Sequence, residues 1–221
     1  MTNREIKLKS KADMKNNYGA AILTMILLSL VVSGAATVGL IVSLIVVLGA
    51  IKCCYAAFYV DVAKHEIKGV DSTYRGFRQF GRALKVLLIY TGVILGMLAV
   101  MGIILGITAA VAEEEVEFVV IVGTILALAF LIAVFILSVK VKFTFFIMND
   151  QTDLPAVGCI KASFKLTKGR FWKLVGFELS FIGWYILVLL TLGGLNLYVA
   201  PYHDTAVANF YLAFAETSEE K

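Results

Sequence analysis

Charges fall along this chain in blocks separated by long apolar intervals. The first block, Met1 to Asn17, is basic, with Arg4, Lys7, Lys9, Lys11 and Lys15 set against Glu5 and Asp13. The next charge is Lys52, and the one after it is Asp61. Because about 20 residues at ~1.5 Å rise cross a ~30 Å hydrocarbon core, residues 18–60 predict two membrane spans. Their turn is expected at Ser33-Gly34-Ala35-Ala36-Thr37-Val38-Gly39, where small residues interrupt the apolar run.

Residues 61–85 are polar again. Val70, Tyr74, Phe77, Gly81 and Leu84 recur there at helical spacing, and Arg75, Arg78, Gln79 and Arg82 fall on the other face. That pattern predicts a basic amphipathic helix in the headgroup plane. Residues 86–139 read as spans three and four, parted by Glu113-Glu114-Glu115-Val116-Glu117 and closed by Lys140 and Lys142. Residues 149–171 repeat the basic amphipathic pattern with Lys161, Lys165, Lys168 and Arg170, and Leu154-Pro155 sets the helix start. Residues 172–214 read as spans five and six around Gly193-Gly194, and 215–221 as a solvated tail. The predicted fold is one all-α membrane domain with six spans and two or three basic interfacial helices.

Orientation follows from the basic residues. They sit in the N-terminal segment, near the loops after spans two and four, and at the C-terminus, and none falls in the turns after spans one, three and five. The positive-inside rule then puts both termini in the cytoplasm. Aromatic residues such as Tyr55, Tyr59, Phe145, Phe171, Trp172 and Phe210 crowd the same boundary. Gly81-Arg82 and Gly169-Arg170 each close a basic segment and open a span, and Asn17-Tyr18-Gly19 stands at the same place before span one. The chain thus reads as three hairpin units, either a duplication around a central site or a shared demand of inner-leaflet helices for Arg and aromatics.

Composition supports this frame. Of 221 residues, 60% are hydrophobic and 16% charged, against about 45–50% and about 25% in a soluble domain. A soluble enzyme, a disordered chain and a disulfide scaffold are excluded. The net charge of +4 lies beside apolar spans, so anionic lipid headgroups, rather than nucleic acid, are the expected partner. Cys53, Cys54 and Cys159 are odd in number and suggest no disulfide framework. The small residues Ser33 to Ala36 resemble a signal-peptide cleavage site, but apolar character resumes after them, so an uncleaved span is expected.

No nucleophile elbow, zinc-protease motif, phosphate-binding loop or dinucleotide fingerprint occurs. No catalytic residue, metal site or cofactor is expected. The sharper signal is charge within spans, which costs roughly 2.5–3.5 kcal/mol per residue at a helix centre. Lys52 in span two, Glu178 in span five, and His203 and Asp204 in helix six all fall in the inner half of the bilayer. A Lys52–Glu178 or Lys52–Asp204 pair is expected to offset the burial cost. These four residues are the candidate cavity, and a structural ion pair or a snorkelling Lys52 is the plainer alternative. Arg75, Arg78, Arg82, Lys161, Lys165, Lys168 and Arg170 are the candidate headgroup binders. Gly92/Gly96 and Gly102/Gly106 in span three predict close helix packing. Pro201 removes a helix hydrogen bond beside His203 and predicts a kink.

The C-terminal third carries a pattern of its own. It reads Ala162-Ser163, Lys168-Gly169-Arg170-Phe171-Trp172-Lys173-Leu174, Leu179-Ser180-Phe181-Ile182-Gly183-Trp184, Leu190-Thr191-Leu192-Gly193-Gly194-Leu195, then Pro201-Tyr202, Ala206 and Phe210-Tyr211. This resembles the bacterial integral membrane family known as domain of unknown function 975, and Ile6-Lys7 and Asn17-Tyr18 fit it too. The stretch between spans one and two is shorter than that family suggests. A distant similarity also links the chain to the membrane region of some glycerophosphodiesterases. The resemblance implies a multi-span bacterial membrane protein and no particular reaction. The expected function is non-enzymatic: transport, export or tolerance of a lipid or amphipathic peptide, alone, as a homo-oligomer or with a protein partner. The alternative is a scaffold that binds anionic lipid or a partner through its basic helices.

Overall fold

The computed structural model describes residues 2–15, 17–38, 42–66, 71–111 and 116–219, with backbone only at 31–38, 42–47, 71–72 and 217–219. Every regular element among them is helical. In order these are α1 (Asn3–Met14), α2 (Tyr18–Val38), α3 (Val42–Lys64), α4 (Asp71–Tyr74) with a 3-10 turn (Arg75–Gln79), α5 (Phe80–Val111), α6 (Val116–Lys140), α7 (Thr144–Asp150), α8 (Ala156–Thr167), α9 (Phe171–Leu179), α10 (Ile182–Leu190) and α11 (Asn196–Glu219). Three stretches among the described residues are long and apolar enough to cross a membrane: Arg75–Val111, Val116–Asp150 and Phe171–Leu190. A shorter apolar stretch covers Tyr18–Leu30.

Three expectations are corrected. Ser33 to Val38 are not a turn but continue α2, and Gly39 lies outside the described residues. The basic helix expected over 61–85 is divided, because α3 runs on to Lys64 and a 3-10 turn leads directly into α5. Gly76 explains this packing. A Cβ there would meet the Cys54 Cα and N at 2.5 Å, so only glycine lets the turn lie on α3. The helix expected within 149–171 is α8, which begins at Ala156 just past Leu154-Pro155, and the separate α7 precedes it. The fifth apolar stretch is broken between α9 and α10. The acidic residues Glu113–Glu115 lie outside the described residues.

α1 is set by its sequence. Thr2 and Glu5 form a capping box, with Thr2 N–H donating to Glu5 Oε2 at 2.8 Å and Glu5 N–H to Thr2 Oγ1 at 3.3 Å. The helix then docks on α11 through buried polar groups. Asn209 Nδ2 donates to Asp13 Oδ2 at 2.8 Å and to Ser10 Oγ at 3.2 Å. The core lies where α1, α3, α7, α9 and α11 meet, around Phe58, Tyr59, Phe143, Phe177, Phe181 and Phe210. Asp150 ties three of these helices, accepting from Lys64 Nζ at 2.8 Å and from the Tyr211 hydroxyl at 2.9 Å. Cys53, Cys54 and Cys159 are buried free thiols. Partial burial pushes the Cys159 thiol up, against the opposing pull of the Arg82 guanidinium.

Candidate functional site

At one end of the long apolar helices, four charged or titratable side chains join in a line. Lys142 stands in the turn between α6 and α7 and bonds Glu178 Oε1. Glu178 closes α9, and its Oε2 lies 3.3 Å from His203 Nε2. His203 Nδ1 lies 3.1 Å from Asp204 Oδ1. Side-chain exposure is 21% for Lys142 and Glu178, 11% for His203 and 40% for Asp204, so the line opens at its Asp204 end.

Local structure places each member. The turn carrying Lys142 is held by Ser163 of α8, whose Oγ accepts from Phe143 N–H at 3.2 Å and donates to the Lys140 carbonyl at 2.8 Å. Glu178 sits immediately before the α9–α10 break. There Phe181 N–H turns back to the Glu178 carbonyl at 2.9 Å in a tight i to i−3 bond. Lys7 of α1 holds the break from outside, donating to the Ser180 carbonyl at 3.2 Å with its ammonium 4.3 Å from the Phe181 ring centroid. Partial burial lowers the Lys7 ammonium from its ordinary value. α11 continues as helix through Pro201 and delivers His203 and Asp204 beyond it.

Aromatic rings wall the line. Phe177 stacks on the His203 ring at 5.8 Å, Phe181 meets it edge-on at 5.0 Å, and Tyr185 lies at 6.1 Å. Tyr55 and Tyr59 of α3 and Tyr185 of α10 lie within electrostatic reach of the Asp204 carboxylate. The Tyr59 hydroxyl is buried without a hydrogen-bond partner.

The structure thus brings together Glu178, His203 and Asp204, and it does not bring in Lys52. Lys52 is exposed on α3, and neither expected pair, Lys52–Glu178 or Lys52–Asp204, forms. The reason is packing: α9 lies against α6, so the cation nearest Glu178 is Lys142. Lys142 looked in the sequence like an ordinary boundary lysine closing span four. Its one signal was position, just past a long apolar run and within reach of the chain's return.

The basic residues divide into two groups. Three are engaged by the protein itself. Arg75 pairs with the buried carboxylate of Asp61. Arg82 donates to the carbonyls of Met148 at 2.9 Å, Gln151 at 3.3 Å and Leu154 at 2.7 Å, and to the Gln79 amide. Arg170 donates to the Phe214 carbonyl at 2.9 Å and lies over its ring at 4.6 Å. Arg78, Lys161, Lys165 and Lys168 are exposed. His65 is exposed too, yet its Nε2 reaches Asp13 Oδ1 at 3.3 Å.

Fold and site together define an all-helical protein whose bilayer-length apolar helices end on a line of polar side chains. The chain belongs to the family DUF975, described as a protein of unknown function, whose model matches residues 1–218. No curated protein and no solved structure matches it.

Proposed function

We propose that this chain is a six-span protein of the bacterial cell membrane, with both termini cytoplasmic, that moves or extrudes an amphipathic solute past the Lys142–Glu178–His203–Asp204 line. The observation carrying this reading is the coincidence of that line with the broken α9–α10 helix and its aromatic wall. A helix broken at membrane depth frees backbone groups, and such breaks are tolerated where they face protein or a polar cavity. Charged groups meet the head of an amphipath there, and Tyr185 and Trp184 meet its apolar part. The reading is non-enzymatic, since the line holds no nucleophile beside a base.

A recurring closure supports the three-hairpin organisation. In each unit a residue at the hairpin entry holds the end of the outgoing helix. Asp13 meets His65 beyond α3, Arg82 takes the carbonyls that end α7, and Arg170 takes Phe214 near the end of α11.

The test is native mass spectrometry of the protein released from nanodiscs made with bacterial lipid extract. The reading expects a retained lipid or peptide that is lost in Glu178→Gln and Lys142→Met. A ligand-free mass in the wild-type chain overturns it. A second reading, a scaffold on anionic lipid, is favoured by the exposed Arg78, Lys161, Lys165 and Lys168. It expects lipid retention that survives Glu178→Gln and falls when those four are neutralised.

A further inference from the structure

The central residue of the line is in an unusual electrostatic position. Both ring nitrogens of His203 face carboxylates, Nδ1 toward Asp204 and Nε2 toward Glu178. A neutral imidazole carries a proton on one nitrogen only. Its other nitrogen would then set a lone pair against a carboxylate oxygen. Both contacts are satisfied only by an imidazolium, or by a proton held on one of the two carboxyl groups. Either way the line holds one proton more than a neutral ring between two carboxylates.

Charge counting agrees. With that proton, Lys142 and the ring balance Glu178 and Asp204. Without it, one net negative charge remains, and with Glu178 paired to Lys142 it falls on Asp204 at the open end of the line. The groups facing the line from every side are Lys142 beside α6, Tyr55 and Tyr59 from α3, Tyr185 from α10 and, behind Phe181, Lys7 from α1. Lys7 is held at the Ser180 carbonyl behind the Phe181 ring, so among the described residues Lys142 is the one lysine in contact with the line.

The proton sits at a mechanical junction. The Glu178–His203 contact ties the end of α9 to α11 directly before the helix break. Beyond the break, α10 buries none of its own residues. It is held to α11 by Trp184, whose ring lies 6.1 Å from Tyr198 and 6.4 Å from Tyr202. A segment with so little buried surface moves at small cost once its anchor is released.

Resting on the function proposed above, we infer that the line is a proton-binding site, and that release of the His203 proton breaks the Glu178–His203 tie at the end of α9 and lets α10 move. In the release step an N–H bond of the ring breaks and its electron pair stays on nitrogen. It is the Nε2–H that is lost, past the Glu178 carboxylate to water, while Nδ1–H stays on Asp204; the bare Nε2 then faces the Glu178 carboxylate and the contact parts. No redox partner is involved. Solute movement past this line is thereby proton-coupled.

The chain has two histidines, which makes the site directly readable. In His65→Gln protein in nanodiscs, without solute, the 15N signals of labelled imidazole report His203 alone. Both ring nitrogens should carry protons at pH 7, and Glu178→Gln or Asp204→Asn should each remove one. In Trp172→Phe protein, Trp184 fluorescence reports the α10–α11 seam. Its emission should shift over the same pH range as the His203 signals, and the shift should vanish in His203→Gln. Circular dichroism melts of each variant, with Asp204→Asn standing in wherever Glu178→Gln does not fold, keep misfolding separate. A half-protonated ring at pH 7, or Trp184 emission that ignores pH or ignores His203→Gln, overturns the inference. Because no solute is present, a pH-silent site in a protein that still retains a ligand sinks only the proton. A pH-responsive site in a ligand-free protein sinks only the transport reading.

Discussion

Two regions of this molecule use similar apolar residues and hold together by different means. At the base, α1, α3, α7, α9 and α11 bury large side chains against one another and lock their ends with polar bonds. Away from its inner ends, which Arg82 and the Lys140 carbonyl hold, the α5–α6 hairpin does neither. Beyond Val86, α5 buries nothing, and in α6 only Val139 is buried. Cβ atoms added at Gly92, Gly96, Gly102 or Gly106 would meet nothing within 4 Å, so the close packing those glycines predict is absent among the described residues. Between the two helices lies an open apolar groove of about 500 Å³, lined by Val93, Gly96, Met97, Val100, Leu126 and Phe130.

The hairpin nonetheless satisfies three of its hydroxyls within its own helices. Thr108, Thr124 and Ser138 each donate to a carbonyl of their own helix. Such helices suit a hydrocarbon surrounding, which is as apolar as their side chains and gives them no reason to pack. The lesson is that hydropathy alone does not tell a packed helix from a bare one. Polar residues at the ends do.

Substitutions can break or sharpen this contrast. The largest effect belongs to Arg82→Met, which strands three carbonyls at the α7–α8 junction. Hydrogen bonds to a charged group are each worth about 1.5–3 kcal/mol, so a loss on the order of 3 kcal/mol is expected in detergent unfolding. A loss below about 1 kcal/mol would mean that water replaces the guanidinium. Next is Asp13→Ala. It leaves the buried Asn209 amide short of an acceptor, at roughly 1–3 kcal/mol. Hydrogen exchange over 3–14 should rise while that of α5 and α6 is unchanged.

Gly76→Ala should cost a further 1–3 kcal/mol or so through overpacking against α3, seen as a lowered melting temperature. The smallest effect is expected for Gly96→Ala. With open space around it, the change should be neutral or stabilising by up to about 1 kcal/mol from helix propensity. Marked destabilisation would show that α5 packs against something, and a matching fall in oligomer mass would name a second copy of this chain.

Much of the fold was legible. The apolar intervals marked α5, α6 and the α9–α10 stretch, because residues that bury no charge over such lengths leave few other solutions. The segment over 61–85 was legible as polar and basic but not as a divided helix, whereas α8 was legible from Leu154-Pro155 onward. Gly76 carries no local sign that α3 will pass within van der Waals contact. At the site, Glu178, His203 and Asp204 stood out because charge inside an apolar run is costly. Lys142, Ser163 and Lys7 did not, since each is an ordinary residue in a polar stretch.

The sequence by itself therefore determined the helical class, the long apolar helices and which charged groups stand inside apolar runs. Burial cost is local, paid residue by residue along each helix, and shows in composition and period. Tertiary structure decided the partners. Whether Glu178 meets Lys52 or Lys142 depends on which helices lie side by side, and whether an arginine faces lipid or caps α7 depends on where a distant chain end arrives. Those choices rest on contacts between residues far apart in the chain, which no local pattern records.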